Sequence, residues 1–253
     1  MQNRYVADIG DYVKFAILRA LSPGRRLGVV CWLFADEDHN ADGGHREYLV
    51  RHSEWKHFDP PLFEALLKIE REKKHDVRAI EDSSVLPNAV FVSDPIPCKA
   101  QPYSLRPEER KKWIEAAKTT VKNCNLVFLD PDNGIASERL KLTKARAGKS
   151  VTIDDIKSLQ EGNRTIVVYH HQTRLKGGHL FEIVNLFTRL RKSGVHVSGA
   201  LRATPWSPRA FFMLNGDEEL QDRSKALANL WGKHVSWHSE NELLKNSESH
   251  SMG

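Results

Sequence analysis

Four apolar runs, separated by segments long enough for helices, constrain this chain more than any other feature. LGVVCWLF (27–34) and CNLVFLD (124–130) are nearly continuous in apolar residues and rich in β-branched and aromatic side chains, the pattern of a strand covered on both faces. NAVFVSD (88–94) and RTIVVYHH (164–171) read as strands of the same kind. Between the runs, PPLFEALLKIEREKK (60–74), RPEERKKWIEAAKTTVKN (106–123) and the short TIDDIKSLQ (152–160) have the spacing of helices. Pro107 starts one of them and Thr152 caps another. GHLFEIVNLFTRLRKSG (178–194) is a further helix, closed by Gly194. Such alternation implies βαβ units and a doubly wound, mostly parallel α/β sheet. Two adjacent strands, VHVSGALRA (195–203) and RAFFMLN (209–215), are joined by the short turn TPWSP and predict an antiparallel edge. A helix (218–231) and a strand HVSWH (234–238) follow. YVKFAILRAL (12–21) is a leading helix stopped by SPG. The expectation is one α/β domain over 1–240, without internal repeats, and a disordered tail over 241–253.

Charge and cysteine usage narrow the setting. A net charge of +5 over 253 residues favours a polyanionic partner, RNA or DNA. Cys31, Cys98 and Cys124 lie far apart without a CxxC pair, which reads as reduced thiols in a cytoplasmic protein. No apolar run reaches the roughly 18 residues of a membrane span, so no membrane partner is expected.

In open parallel sheets, ligands sit beyond the carboxyl ends of the strands. Three polar clusters occupy those positions. ADEDHNADGGH (35–45) brings Asp36, Asp38 and His39, DPDNG (130–134) brings Asp130, Asp132 and Asn133, and YHHQTR (169–174) brings His170, His171 and Arg174. Turn chemistry alone can place acids, Asn and Gly in such loops, but three consecutive clusters point to a site. Asp130 stands out, because a bare carboxylate ending the most apolar strand is costly unless it is used or paired. His170 and His171 alternate across a strand, so at most one faces the site. The polar, basic stretch 136–150 reads as an exposed loop whose Lys141, Lys144, Arg146 and Lys149 could grip phosphates, as could Arg174, Arg202 and Arg209, while Trp206 could stack on a base or plug a hydrophobic gap.

The order of elements, with the quoted motifs, resembles the class I S-adenosylmethionine-dependent methyltransferases. It is most similar to the large-subunit ribosomal RNA adenine-N6 methyltransferases with a pre-core helix. GDYVKFAILRAL (10–21) resembles that family's leading helix, with Asp11 followed three positions later by Lys14. LVFLDPDNGI (126–135) resembles its motif IV, and SPRAFFMLNG (207–216) its closing strand. The resemblance implies a Rossmann-like fold, S-adenosylmethionine as cofactor and methyl transfer to nucleic acid. It implies catalytic roles for Asp130, Asp132, Asn133 and His170, and cofactor contacts from Asp11, Lys14, Asp36, Asp38 and His39. Two departures keep other classes open. Acids replace the Gly-rich turn after the first strand, and Asp132 and Asn133 replace the residues that would stack on the target base. Asp36, Asp38, Asp130 and Asp132 could instead hold magnesium or manganese for phosphodiester cleavage. A catalytically silent binding subunit is the third class.

Overall fold

The computed structural model describes residues 1–36, 44–83 and 85–251. Its strands are β1 (Leu27–Val30), β2 (Val90–Val92), β3 (Leu126–Leu129), β4 (Gly134–Ile135), β5 (Ser150–Val151), β6 (Thr165–His171), β7 (Val197–Ala203), β8 (Arg209–Leu214) and β9 (Val235–Ser239). Its helices are α1 (Ile9–Leu21), α2 (His52–Trp55), α3 (Pro60–Arg71), α4 (Val77–Glu81), α5 (Arg106–Thr120), α6 (Ile153–Leu159), α7 (Gly178–Lys192), α8 (Glu218–Trp231) and α9 (Glu240–Ser251). Seven strands form one sheet in the order β2-β1-β3-β6-β8-β7-β9. The first four are mutually parallel, and β8 runs antiparallel between β6 and β7, with β9 antiparallel on the outer edge. This is the mostly parallel Rossmann-like arrangement that the alternation of elements implies.

Strand alternation sorts the core into two layers. Leu126 and Phe128 of β3, Val167 of β6 and Phe211 and Met213 of β8 join α1, α3 and α8 on one face. Val127, Leu129, Ile166, Val168, Ala210, Phe212 and Leu214 join α5, α6, α7 and α9 on the other. Phe128 and Phe212 are fully buried, so truncating either to Ala costs about 3–5 kcal/mol. Local signals agree with this packing. Thr152 accepts from the Asp155 amide in a complete capping box, and Gly194 takes φ +86 after α7.

Three expectations need correction. The first apolar run supplies only four strand residues, because Trp32 adopts φ +41 and turns the chain out of the ladder to pack its ring 5.0 Å from Trp113. The stretch 136–150 is not wholly exposed: Ala147, Gly148 and Ser150 are buried, and β5 pairs with β4. The segment expected as a disordered tail carries α9 through Ser251. Leu243 is buried in the second core with Leu244 against it, and the Ser239 side chain and the Glu242 carboxylate cap its first turn reciprocally.

Candidate functional site

The chain leaves β3 through Asp130, whose amide still donates to Val30 O at 3.0 Å. Pro131 has no amide to extend the ladder, and the chain then folds back. The Asn133 amide donates to Lys149 O at 2.8 Å. Gly134 sits at φ +93, and a Cβ there would lie 2.4 Å from His170 Nδ1, so only glycine fits the conformation and the space. The turn therefore holds the Asp130 and Asp132 carboxylates at the sheet edge.

Helix α1 carries the partner of the first carboxylate. Asp8 caps the helix by accepting from the Asp11 amide at 2.9 Å, and three residues bring Asp11 and Lys14 onto one face. Lys14 Nζ donates to Asp11 Oδ1 at 2.7 Å and to Asp130 Oδ2 at 2.8 Å, with all three side chains no more than 7 % exposed. Burial pushes the Asp11 carboxyl up from 3.8 to about 6, although Lys14 opposes the rise. Burial also works against the Lys14 charge, but Asp11 and Asp130 overcome it and hold the ammonium above its ordinary range. Asp132 is held separately, accepting from Gln2 Nε2 at 2.7 Å with Lys149 Nζ 3.4 Å away.

These groups floor a cavity of about 360 Å3, within the size range of small-molecule sites. Tyr169 and His171 of β6 form one wall, and Arg174, Trp206 and Arg209 line its rim. The Tyr169 hydroxyl is 3.2 Å from His171 Nδ1. Burial, helped by the nearby Arg209 charge, depresses the His171 pKa and favours the neutral ring. Arg209 is 5 % exposed, and its Nε has no hydrogen-bond partner among the described residues. Trp206 is 68 % exposed and stacks on His45 with ring centroids 3.9 Å apart.

The structure thus gathers Asp11, Lys14, Asp130, Asp132, Asn133 and Arg174 at one pocket. It does not place His170 there. Residues 166, 168 and 170 of β6 face the α5–α7 layer, so His170 is 2 % exposed and lies within hydrogen-bonding distance of the Ile135 amide and Glu182. Its neighbour His171 faces the pocket instead. Arg202 shares the face of Ala200 in the second core, and its Nε donates to His179 Nδ1 at 3.1 Å, away from the α1 side of the sheet. Lys141, Lys144 and Arg146 are exposed but do not line the cavity, whereas Lys149 does. Asp36 is exposed, accepts from the Arg4 amide at 3.3 Å and lies outside the lining. Asp38 and His39 lie outside the described residues. Among those that are described, no group of three or more His, Cys, Asp or Glu side chains is placed to hold a metal. Of the four carboxylates of the metal alternative, Asp130 and Asp132 have lysines beside them, Asp36 lies outside the lining, and Asp38 is outside the described residues.

Sequence reasoning missed the N-terminal strap. Residues 1–8 carry a short 3-10 turn (Asn3–Tyr5) and Ala7 at φ +64, and they bring Arg4, Tyr5 and Asp8 to the cavity. A strap held by single long-range contacts has no periodicity to reveal it. Among the described residues, no helix is long and apolar enough to cross a membrane. No protein-family model matches the chain, and no curated protein matches it with significance.

Proposed function

We propose that the chain is a methyltransferase-like enzyme acting on nucleic acid, with the cavity beyond β3 and β6 as its active site. One observation carries this reading. The two carboxylates of the acidic strand end already have lysine partners, while Arg174 and Arg209 make no ion pair among the described residues. A pocket whose strand-end acids are held by lysines, and in which two arginines make no ion pair among the described residues, favours an anionic ligand over a metal cation. The parallel strands followed by an inserted antiparallel strand, and a leading helix that reaches the strand end, support the class I methyltransferase resemblance.

S-adenosylmethionine fits the donor set in part. Asp8 suits an ammonium group, Tyr5 offers a ring face, and the cofactor would supply the methyl group. Lys14 is committed to two carboxylates, so it acts as the residue that fixes Asp130 rather than as a cofactor ligand. Held in this way, Asp130 presents a rigid edge beside the exposed Asn133 amide and Asp132. Their oxygens can accept the hydrogens of a target amine and orient its lone pair, which is catalysis chiefly by positioning.

Thermal shift separates this reading from the metal-dependent alternative. S-adenosylhomocysteine at about a hundredfold over its Kd should stabilise the fold by about 2.7 kcal/mol, and manganese should not. A melting temperature raised by manganese and unmoved by S-adenosylhomocysteine would overturn the proposal.

A further inference from the structure

The turn TPWSPR (204–209) puts a cation and an aromatic face side by side on the cavity rim. The Arg209 guanidinium touches its own turn only weakly, at 3.3 Å to Pro205 O and 3.3 Å to Ser207 Oγ. A Cβ on Gly10 would stand 2.9 Å from Asp8 Oδ1 and 3.3 Å from Arg209 Nη2, and Gly10 itself lines the cavity. The absence of a side chain at Gly10 keeps the space in front of the guanidinium open. Arg209 is 5 % exposed, makes no ion pair among the described residues and leaves Nε unpartnered, so an anionic ligand would supply the direct partner that the Asp8 carboxylate across Gly10 does not. Trp206 is held at φ +62, a conformation bulky side chains rarely adopt, and the strain keeps its ring at the rim, stacked on His45. Arg174, also on the rim, is left-handed too, at φ +60. Left-handed backbone at two residues lining the cavity that Arg209 also lines is the kind of outlier that motivates a ligand-binding hypothesis.

We propose that Arg209 and Trp206 form a nucleotide subsite: the guanidinium takes the phosphate of a nucleotide and the Trp206–His45 stack takes its base. Arginine suits a phosphate because its planar fork donates two parallel hydrogen bonds, and ring stacking is tolerant of base identity. The subsite deepens the proposed function and rests on its nucleic-acid part, not on methyl transfer, because it needs no cofactor to be tested.

The probes are adenosine 5′-monophosphate and adenosine, titrated by calorimetry and by fluorescence. Trp206 is the tryptophan most open to solvent, so its quenching reports stacking. The monophosphate should bind about ten- to hundredfold more tightly than adenosine. Arg209→Gln should bring the two affinities together, and Trp206→Ala should weaken both alike. Arg209→Gln should melt no lower than wild type, because an unpaired buried charge has been removed. If that variant does not fold, Arg209→Lys should still lose about tenfold of the phosphate preference. A free mononucleotide and a unit of a strand share this chemistry. Competition by a short single-stranded RNA lacking terminal phosphates assigns the strand, and failure to compete assigns the free nucleotide. Equal wild-type affinities for the two probes would overturn the proposal. So would a phosphate preference that survives Arg209→Gln, or an Arg209→Gln variant that weakens S-adenosylhomocysteine alone. Loss of the S-adenosylhomocysteine thermal shift with nucleotide binding intact would sink methyl transfer and leave this subsite standing.

Discussion

Asp11→Asn isolates the electrostatic cost of burying two carboxylates on one lysine. The Asp11 side chain is 1 % exposed, and burial raises its folded-state pKa from 3.8 to about 6. In the unfolded chain the group returns to its ordinary value, so between those two pH values the folded state binds more protons. The favourable contribution of this group is therefore complete below about pH 4 and is lost as pH rises through about 6. A rise of that size is worth about 3 kcal/mol. Asparagine has no such titration. It can still accept from the Ala7 amide, which donates to Asp11 Oδ2 at 3.1 Å, and it leaves Lys14 paired one-to-one with Asp130. Urea unfolding of both proteins, repeated between about pH 4 and pH 8, gives the stability difference as a function of pH. The variant should gain on wild type by about 2–3 kcal/mol across that range, most of it between about pH 4 and 6. The absolute offset depends on how well the amide repacks, but the slope does not. Parallel curves would refute the reasoning, because they would mean that Asp11 titrates alike in both states and that Lys14 fully offsets its burial.

Three further perturbations test the site and its frame. Asp130→Asn should lower the proposed methyl transfer by about a hundredfold or more, while moving stability by about 1 kcal/mol or less, because Lys14 keeps Asp11; full activity per folded molecule removes Asp130 from the chemistry. Glu182→Gln should cost about 1–3 kcal/mol in chemical denaturation, since the carboxylate accepts from the Thr173 amide and hydroxyl and pairs with His170. A cost below about 0.5 kcal/mol, the range of ordinary surface changes, would show that Glu182 is not what holds the segment after β6. Reversing Lys141, Lys144 and Arg146 to Glu should leave stability unchanged, because all three are exposed; it should lower nucleic-acid affinity at low salt, reducing the salt slope by about one for each phosphate no longer neutralised. Unchanged affinity and slope would remove this loop from the interface.

The elements legible in the sequence are those whose signal is local. Apolar runs gave β1, β2, β3 and β6, and helical spacing with caps gave α1, α3 and α5 to α8, because each pattern is written in consecutive residues. Elements made by distant partners left no such mark. The two-residue strands β4 and β5 exist only through each other, and α9 forms from a polar segment because Leu243 finds a slot in the second core. The choice between His170 and His171 turns on which face of β6 meets α1. Alternation gives the parity, but the identity of the face needs the three-dimensional order of the layers. Lys14 illustrates the same limit. Its spacing from Asp11 was readable, whereas its bond to Asp130, 116 positions away, was not.

That bond also bears on which chemistry the strand end can support. A two-metal nuclease needs carboxylates free to converge on cations. Here Lys14 and Lys149 stand beside Asp130 and Asp132, with Nζ atoms 2.8 and 3.4 Å from the carboxylate oxygens. A divalent ion would have to displace the buried Lys14 ammonium, which Asp11 also holds in place, before it gains its first ligand at Asp130. The lining charges that make no ion pair among the described residues include Arg174, beyond the end of β6, and Arg209, at the start of β8. The cavity lining therefore grades from lysine-bound acids at the end of β3 to Arg174 and Arg209, which make no ion pair among the described residues, with Asp8 also in the lining. A ligand that is neutral and hydrogen-bonding at one end and anionic at the other matches that gradient, as a nucleotide does with an exocyclic amine toward Asn133 and a phosphate toward Arg209. In the proposed reading, Asp132 and Asn133 stand where the resembled family carries its base-stacking residue, and stacking falls to another ring. Trp206, on the β7–β8 turn, supplies a ring from another side of the same pocket.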